Sequence, residues 1–308
     1  MSVPPDSLPG MSAPVSTPPP IDPDSAATGR RSRLALSPSR AADYKQCPLK
    51  YRLRAIDRIP EPPARHLVRG TVVHAVLEDL YGLPAAERGP ERATELARPV
   101  WERVVAERPE VAELLDDTEV DSFLDEAREL VRTYYRLEDP TRFDPQSCET
   151  RLEVELSDGA LLRGFVDRID VAPTGELRVV DYKTGRAPGP LQETKALFQL
   201  KFYALMLLRA RGVVPTQLRL IYLADGQLLT YAPEEAELLR FERTLSALWQ
   251  AIRAAGETGE FPPNPSRLCD LCHYRQLCPA FDGTPPAYPG WPTGGESAAE
   301  TFVESVSD

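Results

Sequence analysis

No run in this 308-residue sequence is apolar for long enough to span a bilayer, since a helical span needs about 20 consecutive apolar residues. The first thirty residues, MSVPPDSLPGMSAPVSTPPPIDPDSAATGR, lack the basic start and apolar core of a secretory signal. Export and membrane contact are therefore not expected, and a cytoplasmic setting is. Cysteine is scarce, with five residues in all, which excludes a disulfide scaffold and turns attention to metal binding. The sequence has no G-x-x-x-x-G-K-[ST] loop, so it carries no helicase motor of that kind. Positive charge is short overall: 36 Lys and Arg against 47 Asp and Glu leave a formal net charge of −11.

That deficit is unevenly spread. From Arg30 to Arg69 eleven Lys or Arg meet only Asp43, Asp57 and Glu61, a local excess of eight positive charges. Pro84 to Leu130 is acidic instead and reads as solvated helices. The local field matters more to a polyanion than the net charge, so this basic segment, with Lys50, Arg52 and Arg54, is a candidate phosphate-tracking surface.

Residues 1–35 are rich in Pro, Ser and Ala and are expected to be disordered, as is the tail 283–308, although Tyr288 and Trp291 offer something to dock. The folded part is then 36–282. Ser37 or Ser39 caps a helix that Cys47-Pro48 interrupts, and RGTVVHAVLEDLYG carries Val73, Val76, Leu77 and Leu80 on one helical stripe. Helices also fit 91–107, 119–136, 191–211 and 233–256. Strands fit 149–156, 161–171, 176–183, 217–223 and 227–231, with SDG and PTG as the turns of an antiparallel meander. The order of elements predicts an α/β domain with a mixed sheet flanked by helices.

Within this pattern LRGFVDRIDVAPTGELRVVDYKTGR, Leu162 to Arg186, is unusual. Charged groups inside apolar strands are costly unless they are paired or bind a metal. Asp181 and Lys183 stand at i and i+2 and so project from one face of a strand, while Asp167 ends GFVD on the strand before. Gly164 is expected to let another backbone approach closely. Two carboxylates with a lysine suit a hard divalent cation and phosphoryl transfer. Ordinary salt bridges between Asp181 and Lys183, and between Asp167 and Arg168, are the competing explanation.

The motifs GFVDRID and VVDYKTG, preceded by GTVVHAVLE and followed by QLKFY, resemble those of the RecB-type branch of the PD-(D/E)XK nuclease superfamily. That branch includes nuclease domains of bacterial helicase–nucleases and the CRISPR adaptation nucleases. The resemblance implies a restriction-endonuclease-like α/β core. It implies His74, Asp167 and Asp181 as ligands of Mg²⁺ or Mn²⁺, together with the Tyr182 carbonyl, and Lys183 as the catalytic lysine. It also implies that Gln199 and Tyr203 position the nucleic-acid strand. The family often has a glutamate on the first strand; Glu149, Glu153 and Glu155 compete for that place, and Glu149 is favoured. Arg168 is expected to be a structural partner, not a catalyst.

Cys269, Cys272 and Cys278 form C-x₂-C-x₅-C, and Cys47 lies far upstream. Zinc is the default reading of such a pair with a third cysteine and His273 nearby, and iron–sulfur clusters use the same thiolates. The resemblance includes members with one cysteine before the nuclease core and three after it at this spacing, ligating a [4Fe–4S] cluster. On that ground a four-cysteine cluster joining the N- and C-terminal parts is preferred to zinc. Cys148 falls outside the pattern. The combined expectation is a metal-dependent DNA exonuclease acting in repair or recombination, with any helicase supplied by a partner. The rival readings are a non-catalytic nucleic-acid-binding module with a metal knot, and an RNA-directed nuclease.

Overall fold

The structure, a computed structural model, describes residues 34–116, 118–189 and 193–292. Most of the two segments expected to be disordered lies outside these residues. Among the described residues, no helix is long and apolar enough to cross a membrane.

A five-stranded sheet holds the centre, in the order β1 (Ser147–Glu155), β2 (Leu161–Val171), β3 (Leu177–Lys183), β4 (Gln217–Tyr222), β5 (Gln227–Tyr231). β1 to β3 form the expected antiparallel meander, and its turns use Gly159 and Gly175 at φ 82° and 97°, conformations that favour glycine. β3 and β4 are parallel, connected through α7 (Glu193–Arg211), and β5 returns antiparallel. The sheet is therefore mixed.

Alternation along the strands sends side chains to two separate cores. Val179, Leu218 and Leu220 pack with α7 and α8 (Glu235–Thr258). Val180, Tyr182 and Ile221 pack with α3 (Arg65–Tyr81), α5 (Ala97–Glu107) and α6 (Val120–Leu137). The helix expected over 91–107 is two helices, α4 (Pro90–Glu95) and α5. The cause is Pro99, which has no N–H to give the carbonyl of Glu95 four residues earlier.

At the N-terminal end Ser37 caps α1 (Pro38–Gln46) by accepting the Arg40 N–H at 3.2 Å. Cys47 is extended before Pro48, as expected, and α2 (Pro48–Tyr51) runs on into a π-helical turn over Arg52–Ile56. Leu36 joins the sheet beside Leu162 as a short parallel bridge.

Two expectations change here. Part of the basic segment is tied into internal ion pairs: Lys50 and Arg54 both pair with Asp43 at 2.8 Å. Arg52 is buried against Asp57 at 3.1 Å, and Arg65 and Arg69 both hold Glu126. Asp43 and Asp57 already stand inside the excess of eight and Glu126 offsets one more, so the segment stays net positive although these cations are held in pairs. Residues 283–292, read from sequence as the start of the tail, lie along α8. The Trp291 ring occupies the space a side chain at Gly256 would need, and the Tyr288 hydroxyl donates to the Gly256 carbonyl at 2.7 Å.

Candidate active site

The β2–β3 ladder runs from Val171–Leu177 to Arg168–Val180 and stops. One step beyond, the strands part, and further along β2 the neighbour is Leu36, bridged to Leu162. Asp167 and Asp181 stand at this fork. The Asp167 carboxylate accepts the Tyr182 N–H at 2.6 Å, filling the place of a ladder bond.

β1 is disturbed at the same level. Cys148 pairs with Arg168 and Thr150 with Val166, but Glu149 makes no pair with Asp167 between them. Glu149 is at φ 44°, a left-handed conformation costly for a non-glycine residue. Both strands change faces here. Leu152 and Val166 pack on the α7 side, whereas Cys148 packs on the α3 side and Arg168 reaches Tyr81 and Tyr134 of α3 and α6. The kink brings Glu149 to Asp167 and to His74 of α3. These three each offer a donor atom, all within 4.8 Å of one another. His74 Nδ1 is 3.4 Å from Asp167 Oδ2, and its Nε2 is buried with no hydrogen-bond partner.

From the other face, α7 supplies Gln199 and Tyr203. Lys183 Nζ lies 2.8 Å from Asp181 Oδ2 and donates to Gln199 Oε1 at 2.9 Å. Gln199 Nε2 donates to Asp181 Oδ1 at 2.9 Å and to the Tyr203 hydroxyl at 3.2 Å. Asp181, Lys183 and Gln199 thus form a closed ring, with Asp181 only 2% exposed. Gln199 grips the Asp–Lys pair itself, and Tyr203 is buried in the core.

Glycine makes both approaches possible. A Cβ on Gly164 would lie 2.9 Å from the Tyr203 ring, so Gly164 admits an aromatic side chain where a backbone was expected. A Cβ on Gly70 would lie 3.3 Å from Thr184 Oγ1, which seats the GTVVHAVLE helix against the end of β3. Of the competing glutamates, only Glu149 reaches the site. Glu153 pairs with Arg151 and Arg163, and Glu155 is exposed.

Crowded acids and burial set the proton affinities. Burial pushes Glu149 up to about 8, with Asp167 adding to the rise. Burial also lifts Asp181 to about 6, against the pull of Lys183. For Asp167 burial acts upward, but His74 and Lys183 outweigh it and its pKa falls below the ordinary value. Burial disfavours the His74 imidazolium, yet Asp167 raises its pKa to about 9. Charge here is compensated by protons and by Lys183, and a divalent cation fits the same oxygen-plus-imidazole donor set.

Sequence reasoning missed the work of Tyr182. Its ring meets the His74 ring edge-on with centroids 6.1 Å apart, and its hydroxyl faces Arg168. Only the alternation of β3, which places Tyr182 opposite Asp181 and Lys183 in facing, hinted at it.

The four patterned cysteines, from chain segments about the whole core, line one cavity together with Leu49, Leu53, Tyr274 and Phe281. Cys47 Sγ accepts the Asn264 N–H at 3.4 Å and Cys269 Sγ accepts the Ser266 N–H at 3.2 Å. Among the described residues, the side chains gathered closely enough to hold a metal ion are His74, Glu149 and Asp167, and no three of the thiols form such a group. The joining metal site of the expected fold is thus not formed by the protein atoms alone. Cys148 is remote from this cavity, and burial raises its thiol to about 12, which leaves it protonated.

Carboxylates, an imidazole and a lysine at the split end of two strands suit hydrolysis of a phosphodiester. Comparison with known proteins agrees in class. "Gene 69 protein" of Mycobacterium phage D29 is 27% identical over 270 residues, covering 80% of this chain and 96% of that protein. "Gene 69 protein" of Mycobacterium phage L5 is 27% identical over 290 residues, with the same coverage. A crystal structure from Eubacterium rectale, described as a "Putative exonuclease", superposes with a TM-score of 0.55 at 13% identity, over 82% of this chain and 92% of that one; this likeness is one of fold. Residues 35–279 match the PD-(D/E)XK nuclease superfamily, and with four-fifths of its length inside that match the chain belongs to this superfamily of nucleases.

Proposed function

We propose that the protein is a Mg²⁺- or Mn²⁺-dependent nuclease that degrades DNA from its ends, of the RecB-type branch, and that it serves DNA repair or recombination in the cytoplasm. The observation that carries the metal reading is the convergence of His74, Glu149 and Asp167 donors within 4.8 Å of one another, beside Lys183 on its acidic partner. His74, Asp167, Asp181 and the Tyr182 carbonyl would hold the cation, with Glu149 as an additional ligand. When bound, the cation supplies Lewis acidity toward the scissile phosphate and lowers the pKa of water.

The chain's own groups do the rest. Lys183 directs its ammonium protons toward the oxygens on which negative charge builds, and orients the attacking water. The Gln199 amide fixes Lys183 and Asp181 in one geometry, so little reorganisation is needed as charge develops. Burial around Asp181 excludes competing water, which strengthens these interactions. Reading from ends follows the four-motif resemblance and the description of the Eubacterium rectale neighbour.

The cysteine part of the proposal is a [4Fe–4S] cluster on Cys47, Cys269, Cys272 and Cys278, with zinc as the alternative. Its support is that the four residues line one cavity and that backbone N–H groups already point at two of the sulfurs. The preference for the cluster over zinc rests on the C-x₂-C-x₅-C spacing with one cysteine far upstream, as in the resemblance. Such a site would tie the chain before the catalytic motifs to the chain after them.

Digestion of end-labelled linear and circular DNA and RNA, with Mg²⁺, Mn²⁺ or EDTA, tests the whole reading. Linear DNA should be shortened from its ends in either metal and survive in EDTA, while the circle stays intact. Cleavage of the circle would make the enzyme an endonuclease, preference for RNA would move its substrate, and no cleavage at all would leave a binding module.

A further inference from the structure

Arg168 is completely buried, at 0% exposure, and is the largest fully buried side chain among the described residues. A guanidinium keeps its charge in proteins, and well-packed apolar residues replace buried ion pairs at little or no loss of stability. Stability alone therefore gives no reason for an arginine here, and its contacts supply another.

One terminal nitrogen, NH1, lies 2.6 Å from the Tyr182 hydroxyl, 2.8 Å from that of Tyr81 and 3.0 Å from that of Tyr134. The other donates to Glu138 Oε2 at 2.7 Å, and Nε faces Asp170 Oδ1 at 3.0 Å. Arg178 and Arg219 hold the far sides of Asp170 and Glu138, so both carboxylates are fixed in turn. The Tyr81 and Tyr134 hydroxyls also bond to each other. The planar fork thus binds β2, β3, α3 and α6 at once.

Those elements carry the candidate ligands. Arg168 follows Asp167 directly, and Tyr81 lies two turns after His74 on α3. Tyr182 stands between Asp181 and Lys183, gives its N–H to Asp167 and lays its ring against His74. These links from Arg168 to the donor set run through the chain between Arg168 and Asp167, through the Tyr182 N–H on Asp167 and through the Tyr182 ring on His74.

We propose that Arg168, acting through the Tyr182 hydroxyl, is a positioning residue for the metal centre: the clamp fixes His74 on α3 relative to Asp167 on β2 and Asp181 on β3. The proposal rests on the metal reading above. Partners of this kind that orient ligands typically change metal affinity 10- to 100-fold when removed.

Tyr182→Phe removes the clamped hydroxyl and keeps the ring and the carbonyl. Tyr135→Phe is the control, since the Tyr135 hydroxyl donates to the Arg88 and Gly89 carbonyls and, among the described residues, bonds to no member of the clamp. Mn²⁺ affinity is read by electron paramagnetic resonance on the full chain, with thermal unfolding measured alongside. Tyr182→Phe should bind Mn²⁺ at least tenfold more loosely and give a broadened bound-metal signal, whereas Tyr135→Phe should bind as wild type even where its melting temperature falls equally. Arg168→Lys, which keeps charge but loses the fork, should follow Tyr182→Phe if it folds. Equal Mn²⁺ affinity in wild type and Tyr182→Phe overturns the clamp while leaving the metal reading intact. Absence of Mn²⁺ binding by wild type overturns both.

Discussion

Gln199 Oε1 accepts from Lys183 at 2.9 Å while its Nε2 donates to Asp181 Oδ1 at the same distance, so one amide spans the acid and the base of β3. The pair is held from a helix on one face of the sheet, while His74 approaches from the other. This two-sided grip is what the next two predictions probe.

Asp181→Ala and Lys183→Ala should each lower the rate of DNA cleavage by roughly 10²–10³-fold or more, with the fold retained. The measurement is initial rate in Mn²⁺ together with far-ultraviolet circular dichroism. Wild-type rates in both variants would reduce the pair to an ordinary salt bridge.

Gln199→Ala should lower kcat by about tenfold to a hundredfold, because a loosened Lys183 is misplaced in the transition state. KM for DNA should change less than kcat. A rise in KM at constant kcat would instead assign Gln199 to gripping the nucleic-acid strand directly.

Glu149, Asp181 and His74 all hold protons in the folded chain at pH values where the unfolded chain has released them, with pKa values of about 8, 6 and 9. A raised pKa contributes stability that is full below the unfolded value and is lost as pH rises through the folded one. In EDTA the urea midpoint should therefore decline between pH 6 and 9, most steeply from about 6.5 to 8, where Glu149 and His74 both lie between their unfolded and folded values, and level off above 9. A cation takes over from the protons, so Mn²⁺ should raise the melting temperature more at pH 8 than at pH 6. A midpoint that climbs with pH, or a Mn²⁺ effect that shrinks, would contradict the assigned shifts.

Cys47→Ser should destabilise the protein about as much as Cys272→Ser, because a metal group joining them closes a loop around the nuclease core and its binding is coupled to folding. Cys148→Ser should do little. Anaerobically purified protein should carry iron and acid-labile sulfide. Stoichiometric zinc would replace the cluster but keep the joining site, and unaltered metal content in Cys47→Ser would remove it.

Gly256→Ala should cost about 1–3 kcal/mol in chemical denaturation, the usual range for overpacking, because its Cβ would fall 1.9 Å from the Trp291 ring. Gly189→Ala, with nothing within 4 Å, serves as the control. Equal stability of the two would mean that the 283–292 segment does not lie on α8 in solution.

The order of the meander, the mixed sheet and most of the helices were legible along the chain, because period-2 and period-3.6 patterns are local and the SDG and PTG turns need only their own backbone. The sequence also marked Asp167, Asp181 and Lys183, since charge inside apolar strands is visible without a partner. Tertiary structure alone decided the rest. Which glutamate meets His74 depended on a face switch at Glu149 that parity counting along a strand misses. Whether Arg52 and Lys50 face a polyanion depended on Asp57 and Asp43, whose positions only folding sets. Gln199 turned inward to Asp181 and Lys183 because α7 crosses the sheet at Gly164, where the missing Cβ leaves room for Tyr203. Long-range pairing of charge follows from packing, and packing is not written in any one segment.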